Sequence, residues 1–189
     1  MTHRTQEPAL VWIDLEMTGL DPETDAILEI ATIITDTQLN VIAEGPSITL
    51  GCPPTKLASM HAEVCAMHTK SGLTQRVQES TITVEYAAQE TLTFLKEHCT
   101  AQTAPLCGNS VWQDKRFLQK YMPTIIEFLH YRIIDVSSVK QLVRYWYDPN
   151  IEKQLKGTIK KDTHRALDDI RESIEELKFY REHYFIQSP

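Results

Sequence analysis

The sequence predicts one mixed α/β domain, and three observations lead there. Strand-like runs open the chain, and strands then alternate with segments of helical period. No internal repeat or linker-like stretch interrupts the 189 residues, a length that suits a single domain over 1–189 with a substantial core. Hydrophobic residues make up 42% and charged residues 24%, a globular balance that excludes extensive disorder.

Each element follows from local pattern. Residues 10–16 (LVWIDLE) form a largely apolar strand, closed by the turn signal MTGLDP. Further β-rich runs cover 27–34 and 41–50, and Cys52-Pro53-Pro54 breaks the chain. Residues 55–78 read as short helices joined at Ser71-Gly72. Residues 84–98 carry Val84, Ala87, Ala88, Leu92 and Leu95 at helical spacing, an amphipathic helix. A short strand over 104–107 ends at Gly108-Asn109-Ser110, and a helix over 113–121 is stopped by Pro123. Residues 131–136 give another strand and 138–146 another helix. The Asp148-Pro149-Asn150 turn and the lysine-rich stretch 153–161 predict a polar loop. Residues 163–184 predict a long final helix.

Bulk chemistry narrows the function classes. No stretch approaches the roughly 18 apolar residues of a membrane helix, and the polar start gives no expectation of a signal peptide. Cys52, Cys65, Cys99 and Cys107 are scattered without a C-x-x-C pair, which favours reduced thiols and a cytoplasmic location over a zinc site or disulfide framework. The net charge of −7 lacks the basic surplus of proteins that coat long nucleic acid. Work on nucleic acid would therefore depend on a local site, with cations, and on a small ligand.

The acidic residues carry the chemical signal. Asp14 and Glu16 lie two apart in a strand, so both carboxylates share one face near its C-terminal end. Burying two like charges is unfavourable without a cation, although a lone D-x-E is more often a strand end emerging into solvent. The final helix has an apolar stripe through Ala166, Ile170, Ile174, Leu177 and Tyr184. Asp169 flanks that stripe, whereas Asp168 points away with Glu172 and Glu175. Compensation of the helix dipole accounts for Asp168 and less well for Asp169. His164, five residues before Asp169, falls at or just ahead of the helix start; a lone histidine is more often structural or merely exposed. Asp114, in the opening turn of a helix, says nothing by itself.

Taken in order, Asp14, Glu16, Asp114, His164 and Asp169, within WIDLEMTGL, GNSVWQDKRFL and THRALDDIRES, resemble the DEDDh exonuclease superfamily. The resemblance spans nearly the whole chain. It is closest to the oligoribonucleases, also through ILEIAT, AEGP, HTKSGL and HYRIIDVSSVK. It implies a ribonuclease H-like fold, a mixed five-stranded sheet flanked by helices. It implies 3′→5′ hydrolysis of very short RNA, dinucleotides especially, to 5′-mononucleotides. Asp14, Glu16, Asp114 and Asp169 match the ligands of two Mg²⁺ or Mn²⁺ ions, and His164 matches the general base that activates water. Leu20 matches a wedge between the two terminal bases, although a turn leucine returning to the core is an equal reading of the residue alone. His68, Asn109, Ser110 and Gln113 match residues lining the substrate pocket. Tyr131, Arg132 and Ser137 match residues that reach across a homodimer interface to cap the 5′-phosphate, a role that suits the arginine fork.

Two positions depart from the family pattern. Related enzymes often carry tryptophan where this chain has Glu63, and glycine where it has Trp112, which bears on the base pocket's outer wall and on packing beside the metals. Two other functions compete. A DEDDh enzyme acting on DNA or structured RNA would differ in length preference, and a noncatalytic nucleic-acid-binding module would be expected to lack one of the five residues.

Overall fold

Strand β1 (Ala9–Met17) is the hub of the structure. The computed structural model, which describes residues 8–159 and 165–185, pairs it antiparallel with β2 (Ile27–Asp36) and parallel with β4 (Pro105–Gly108). Strand β3 (Val41–Thr49) continues antiparallel beyond β2, and β5 (His130–Asp135) lies parallel to β4. The order is β3-β2-β1-β4-β5, the mixed five-stranded sheet that the resemblance implied.

Strand alternation builds two cores. Val11, Ile13 and Leu15 of β1 face one side, where they join residues of α4 (Val84–His98), α5 (Trp112–Tyr121) and α6 (Pro123–Phe128). Leu10 and Trp12 face the other, against α7 (Val136–Trp146), α8 (Ile151–Thr158) and α9 (Ala166–His183). The buried indole of Trp12 donates to the Thr35 hydroxyl at 3.0 Å, so its one polar group is satisfied within the sheet. The short helices α1 (Pro54–Ala58), α2 (Ala62–Lys70) and α3 (Leu73–Glu79) close a smaller apolar cluster around Leu28, Leu57, Leu73 and Val77.

Three expectations change. The polar loop foreseen over 153–161 is largely helix α8, because Ile151 and Leu155 sit one turn apart and are both buried, while Glu152, Lys153 and Gln154 between them are good helix formers. Pro123 ends α5 as expected but also starts α6 at its first helical position, where the missing N–H leaves no bond unmade. The final helix begins at Ala166, so Thr163 and His164 lie ahead of it and outside the described residues.

Candidate active site

The carboxyl ends of β1, β4 and β5 open at one end of the sheet, the place where open α/β sheets bind ligands. Asp14 and Glu16 leave β1 on the α9 side. There α9 delivers Asp169 from its first turn, and one carboxylate oxygen from each of the three residues lies within 4.8 Å of the others. Asp114, on the first turn of α5, is buried, and its Oδ1 accepts a hydrogen bond from the Leu15 amide at 3.0 Å. Its field raises the Asp14 pKa, so all four carboxylates share one electrostatic environment, with Asp114 bound to the strand between the two β1 acids.

The electrostatics of this carboxylate cluster suit a divalent cation. Burial, then the neighbouring carboxylates, push Asp14 well above the usual carboxylate range. Burial and the fields of Asp169, Glu29 and Asp114 raise Glu16 to about 8. Burial raises Asp114 to about 7, against the amides that favour its charged form. An all-oxygen donor set of this kind fits a hard divalent cation, and among the described residues no sulfur or imidazole belongs to it. Asp168 behaves as the helical wheel required: it faces outward and pairs with Arg171 at 3.0 Å, which also reaches Glu44. His164 lies outside the described residues.

The turn after β1 presents the next group. Thr18 donates to Asp25 at 2.9 Å, and Asp25 also accepts from the Asp21 amide. A Cβ at Gly19 would stand 2.5 Å from the Asp25 carboxylate, so a side chain there would push that carboxylate out of its present bonds. The turn holds Leu20 outward at 69% exposure, which removes the reading of Leu20 as a core residue. Gln113 donates from Nε2 to the Leu20 carbonyl and accepts from Arg116 at 3.0 Å, bracing the turn from α5. A cleft of about 790 Å³ adjoins, lined by Leu20, His61, Glu63, Val64 and Arg116 among others. Glu63 thus lines the cleft. Trp112 stands 52% exposed, with the Arg116 guanidinium 6.0 Å from its ring.

His68 is placed differently from expectation. It is fully buried at the end of α2, its Nε2 2.9 Å from the Met17 carbonyl and its Nδ1 3.8 Å from the Glu16 carboxylate. The ring stands behind Glu16 and does not line open space, because α2 folds it against the β1 backbone.

Asn109, Ser110 and Ser137 form one network across the ends of β4 and β5. The Ser110 amide donates to Ser137 Oγ at 2.9 Å and to Asp135 at 3.0 Å, and Ser137 Oγ donates to Asn109 Oδ1. Ser110 adopts φ 51°, a left-handed conformation unusual for serine and concentrated at functional sites. Ser137 is thereby separated from Tyr131 and Arg132, with which the sequence grouped it. Those two are exposed on β5, the guanidinium 5.3 Å from the Tyr131 ring.

Sequence reasoning missed two buried carboxylates. Glu176 accepts from Tyr180 at 2.6 Å and from Asn109 at 3.1 Å, and pairs with Lys140 at 3.0 Å. Asp169, Ser173, Glu176 and Tyr180 recur at spacings of four, three and four, a single helix face that the apolar stripe had obscured. Glu29, inside an apolar strand and therefore in need of a partner, pairs with Arg76 at 2.7 Å.

Comparisons with known proteins agree with this geometry. A family model described as Exonuclease (RNase_T) matches residues 11–177. The oligoribonuclease of Marinobacter nauticus is 54% identical over 176 residues, 93% of this chain and 96% of that protein. The oligoribonuclease of Aliivibrio fischeri is 53% identical over 93% of this chain and 95% of its own length. Among solved structures, exonuclease I of E. coli bound to an oligonucleotide superposes with a TM-score of 0.72 at 17% identity. That of Methylocaldum szegediense gives 0.69 at 20%. They share the fold over 95% and 93% of this chain, which spans 42% and 41% of those longer chains.

Proposed function

The chain belongs to the exonuclease family and, within it, to the oligoribonucleases, and from that premise we propose that it hydrolyses very short RNA, dinucleotides above all, from the 3′ end to 5′-mononucleotides. One observation carries the reading: carboxylate oxygens of buried Glu16 and half-buried Asp14 and Asp169 converge within 4.8 Å, an arrangement of like charges that is unfavourable without bound cations.

Asp14, Glu16, Asp114 and Asp169 would hold two Mg²⁺ or Mn²⁺ ions. When bound, such a pair stabilises charge on both the attacking and the leaving oxygen of an in-line displacement. The chain's own groups do the rest. His164 takes the proton of the attacking water; the new bond joins that oxygen to phosphorus, and the bond to the penultimate 3′-oxygen breaks. Leu20, braced by Gln113, enters between the two terminal bases. His68 acts from behind, holding the Met17 backbone and the side of Glu16. Asn109 and Ser110 shape the floor of the substrate pocket.

In the proposed homodimer, Tyr131 and Arg132 of one protomer cap the 5′-phosphate in its partner's site. Exposed Tyr131, Tyr145, Trp146 and Tyr147 support that assembly, because aromatic side chains are enriched where protein surfaces meet. Ser137, bonded within its own chain, supports the pocket from its own side. The four scattered cysteines are free thiols, which fits a reducing cytoplasm. No helix among the described residues is long and apolar enough to cross a membrane.

The test is turnover of end-labelled RNAs of two to twenty nucleotides, with and without Mg²⁺. Mg²⁺-dependent cleavage that is fastest on the dinucleotide is expected. Preference for long strands or duplex DNA would overturn the substrate assignment, and absence of any cleavage would overturn the enzyme.

A further inference from the structure

Helix α9 carries Asp169 one turn from its start, yet its N-cap residue, Arg165, makes no side-chain cap. The first amides of a helix need acceptors, and the partial positive charge there favours a carboxylate. That acceptor comes from another element. Glu29, on β2, directly opposes Glu16 in the β1–β2 register and is buried. Its Oε2 accepts from the Ala166 amide at 3.3 Å, while its Oε1 accepts from Arg76 at 2.7 Å and from the Thr49 hydroxyl at 3.3 Å. Arg76 is itself tied to the Ser71 carbonyl and to Thr49. One carboxylate therefore joins β2, β3, α3 and the start of α9, beside the acidic cluster and outside it.

We infer that Glu29 is a positioning residue: clamped by Arg76, it fixes the N-terminal turn of α9 and so sets Asp169 against Asp14 and Glu16. The Asp169 amide makes the first bond of that turn, to the Arg165 carbonyl at 2.9 Å, so a displacement at Ala166 is a displacement at Asp169. Arg76 also keeps the arrangement electrically tolerable. Without it, Glu29 would be a further unpaired negative charge behind Glu16; with it, the added pair is neutral and the cluster's charge is left to cations. The inference rests on the metal site proposed above.

Three measurements on Glu29→Ala, Glu29→Gln and Arg76→Met test it: amide exchange over 166–169 in chelated protein, Mg²⁺ affinity by calorimetry, and melting temperature. Glu29→Ala should speed exchange over 166–169 and weaken Mg²⁺ by ~10-fold or more, as loss of a group that orients metal ligands does. Turnover should recover in part at high Mg²⁺ even when assayed far below the variant's melting temperature in EDTA, where a merely destabilised protein is already folded and has nothing to recover. Glu29→Gln keeps an acceptor for the Ala166 amide and should fall between Glu29→Ala and wild type. Where Glu29→Ala does not fold, Arg76→Met, at a side chain 34% exposed, carries the same expectation in milder form. Folded variants with wild-type exchange and wild-type Mg²⁺ affinity would overturn the inference while leaving the metal site standing. Wild-type protein that binds no Mg²⁺ would count against both.

Discussion

Two adjacent aspartates at the start of α9 have opposite fates, and the difference is one of direction. Asp169 turns into the cluster and Asp168 turns out to Arg171. Asp14→Ala, Glu16→Ala, Asp114→Ala or Asp169→Ala should each abolish measurable turnover, whereas Asp168→Ala should stay within a few-fold of wild type, as surface pairs contribute little. A dead Asp168→Ala beside an active Asp169→Ala would reverse the assignment of the helix face. His164→Ala should lose rate by ~10²–10⁴-fold while keeping dinucleotide affinity, since in its proposed role it is a proton acceptor and no ligand. Loss of binding with little loss of single-turnover rate would recast it as a contact residue. The same carboxylates tie stability to pH. Glu16 is raised from 4.5 to about 8 and Asp114 from 3.8 to about 7, so the chelated folded state holds protons that the unfolded chain releases. That stabilisation is complete below the unfolded values and is lost as pH rises towards 8. Asp36 and Glu85, shifted the other way, finish titrating below this window. Melting temperature in EDTA should therefore fall between pH 5 and 8, and saturating Mg²⁺ should remove most of the fall. A rise with pH in EDTA would contradict the raised carboxylates.

At the scale of elements, buried polar ties from α9 set its position against the sheet. Glu176 is fully buried, and removing it leaves the Lys140 ammonium, only 16% exposed, without its carboxylate. Glu176→Ala should cost ~3 kcal/mol in denaturant melts, the scale of breaking a buried pair, with Glu176→Gln milder. Equal, small losses for both would mean that Lys140 reaches water unaided. These ties also mark what sequence pattern could and could not convey. The strands and the longer helices were legible, because period two and period 3.6 are written in their apolar residues. Helix α8 was hidden, since only Ile151 and Leu155 bear its apolar face and lysines fill the gaps. Asp14, Glu16 and Asp169 were legible as a face and a flank, and Asp114 through the family's order alone. The burial of His68 and the reach of Glu29 to Ala166, 137 residues away, are long-range facts with no local period to announce them.

At the scale of the whole molecule, net charge and the proposed homodimer would together account for a preference for short substrates. With a net charge of −7, the chain lacks the basic field that would hold a long strand, so the proposed function concentrates binding at the cation site and one cap. In the proposed homodimer that cap is Arg132, which stands exposed on β5 beside the Tyr131 ring, while Lys115 of α5 ties down the Tyr131 carbonyl at 2.9 Å. A monomer would keep every carboxylate and leave the site uncapped at its 5′ side. Arg132→Ala should then weaken binding of a 5′-phosphorylated dinucleotide by ~10- to 100-fold, the scale of one charge-assisted contact. It should matter far less for a 5′-hydroxyl dinucleotide, which offers the guanidinium nothing to hold. The measurement is a two-by-two comparison of wild type and Arg132→Ala on the two dinucleotides, with sedimentation confirming that the variant assembles as wild type does. Equal losses on both substrates would remove the phosphate-cap role and leave Arg132 a structural residue of the interface. A loss confined to the phosphorylated substrate, with assembly intact, would locate the length preference in a residue donated by the neighbouring subunit.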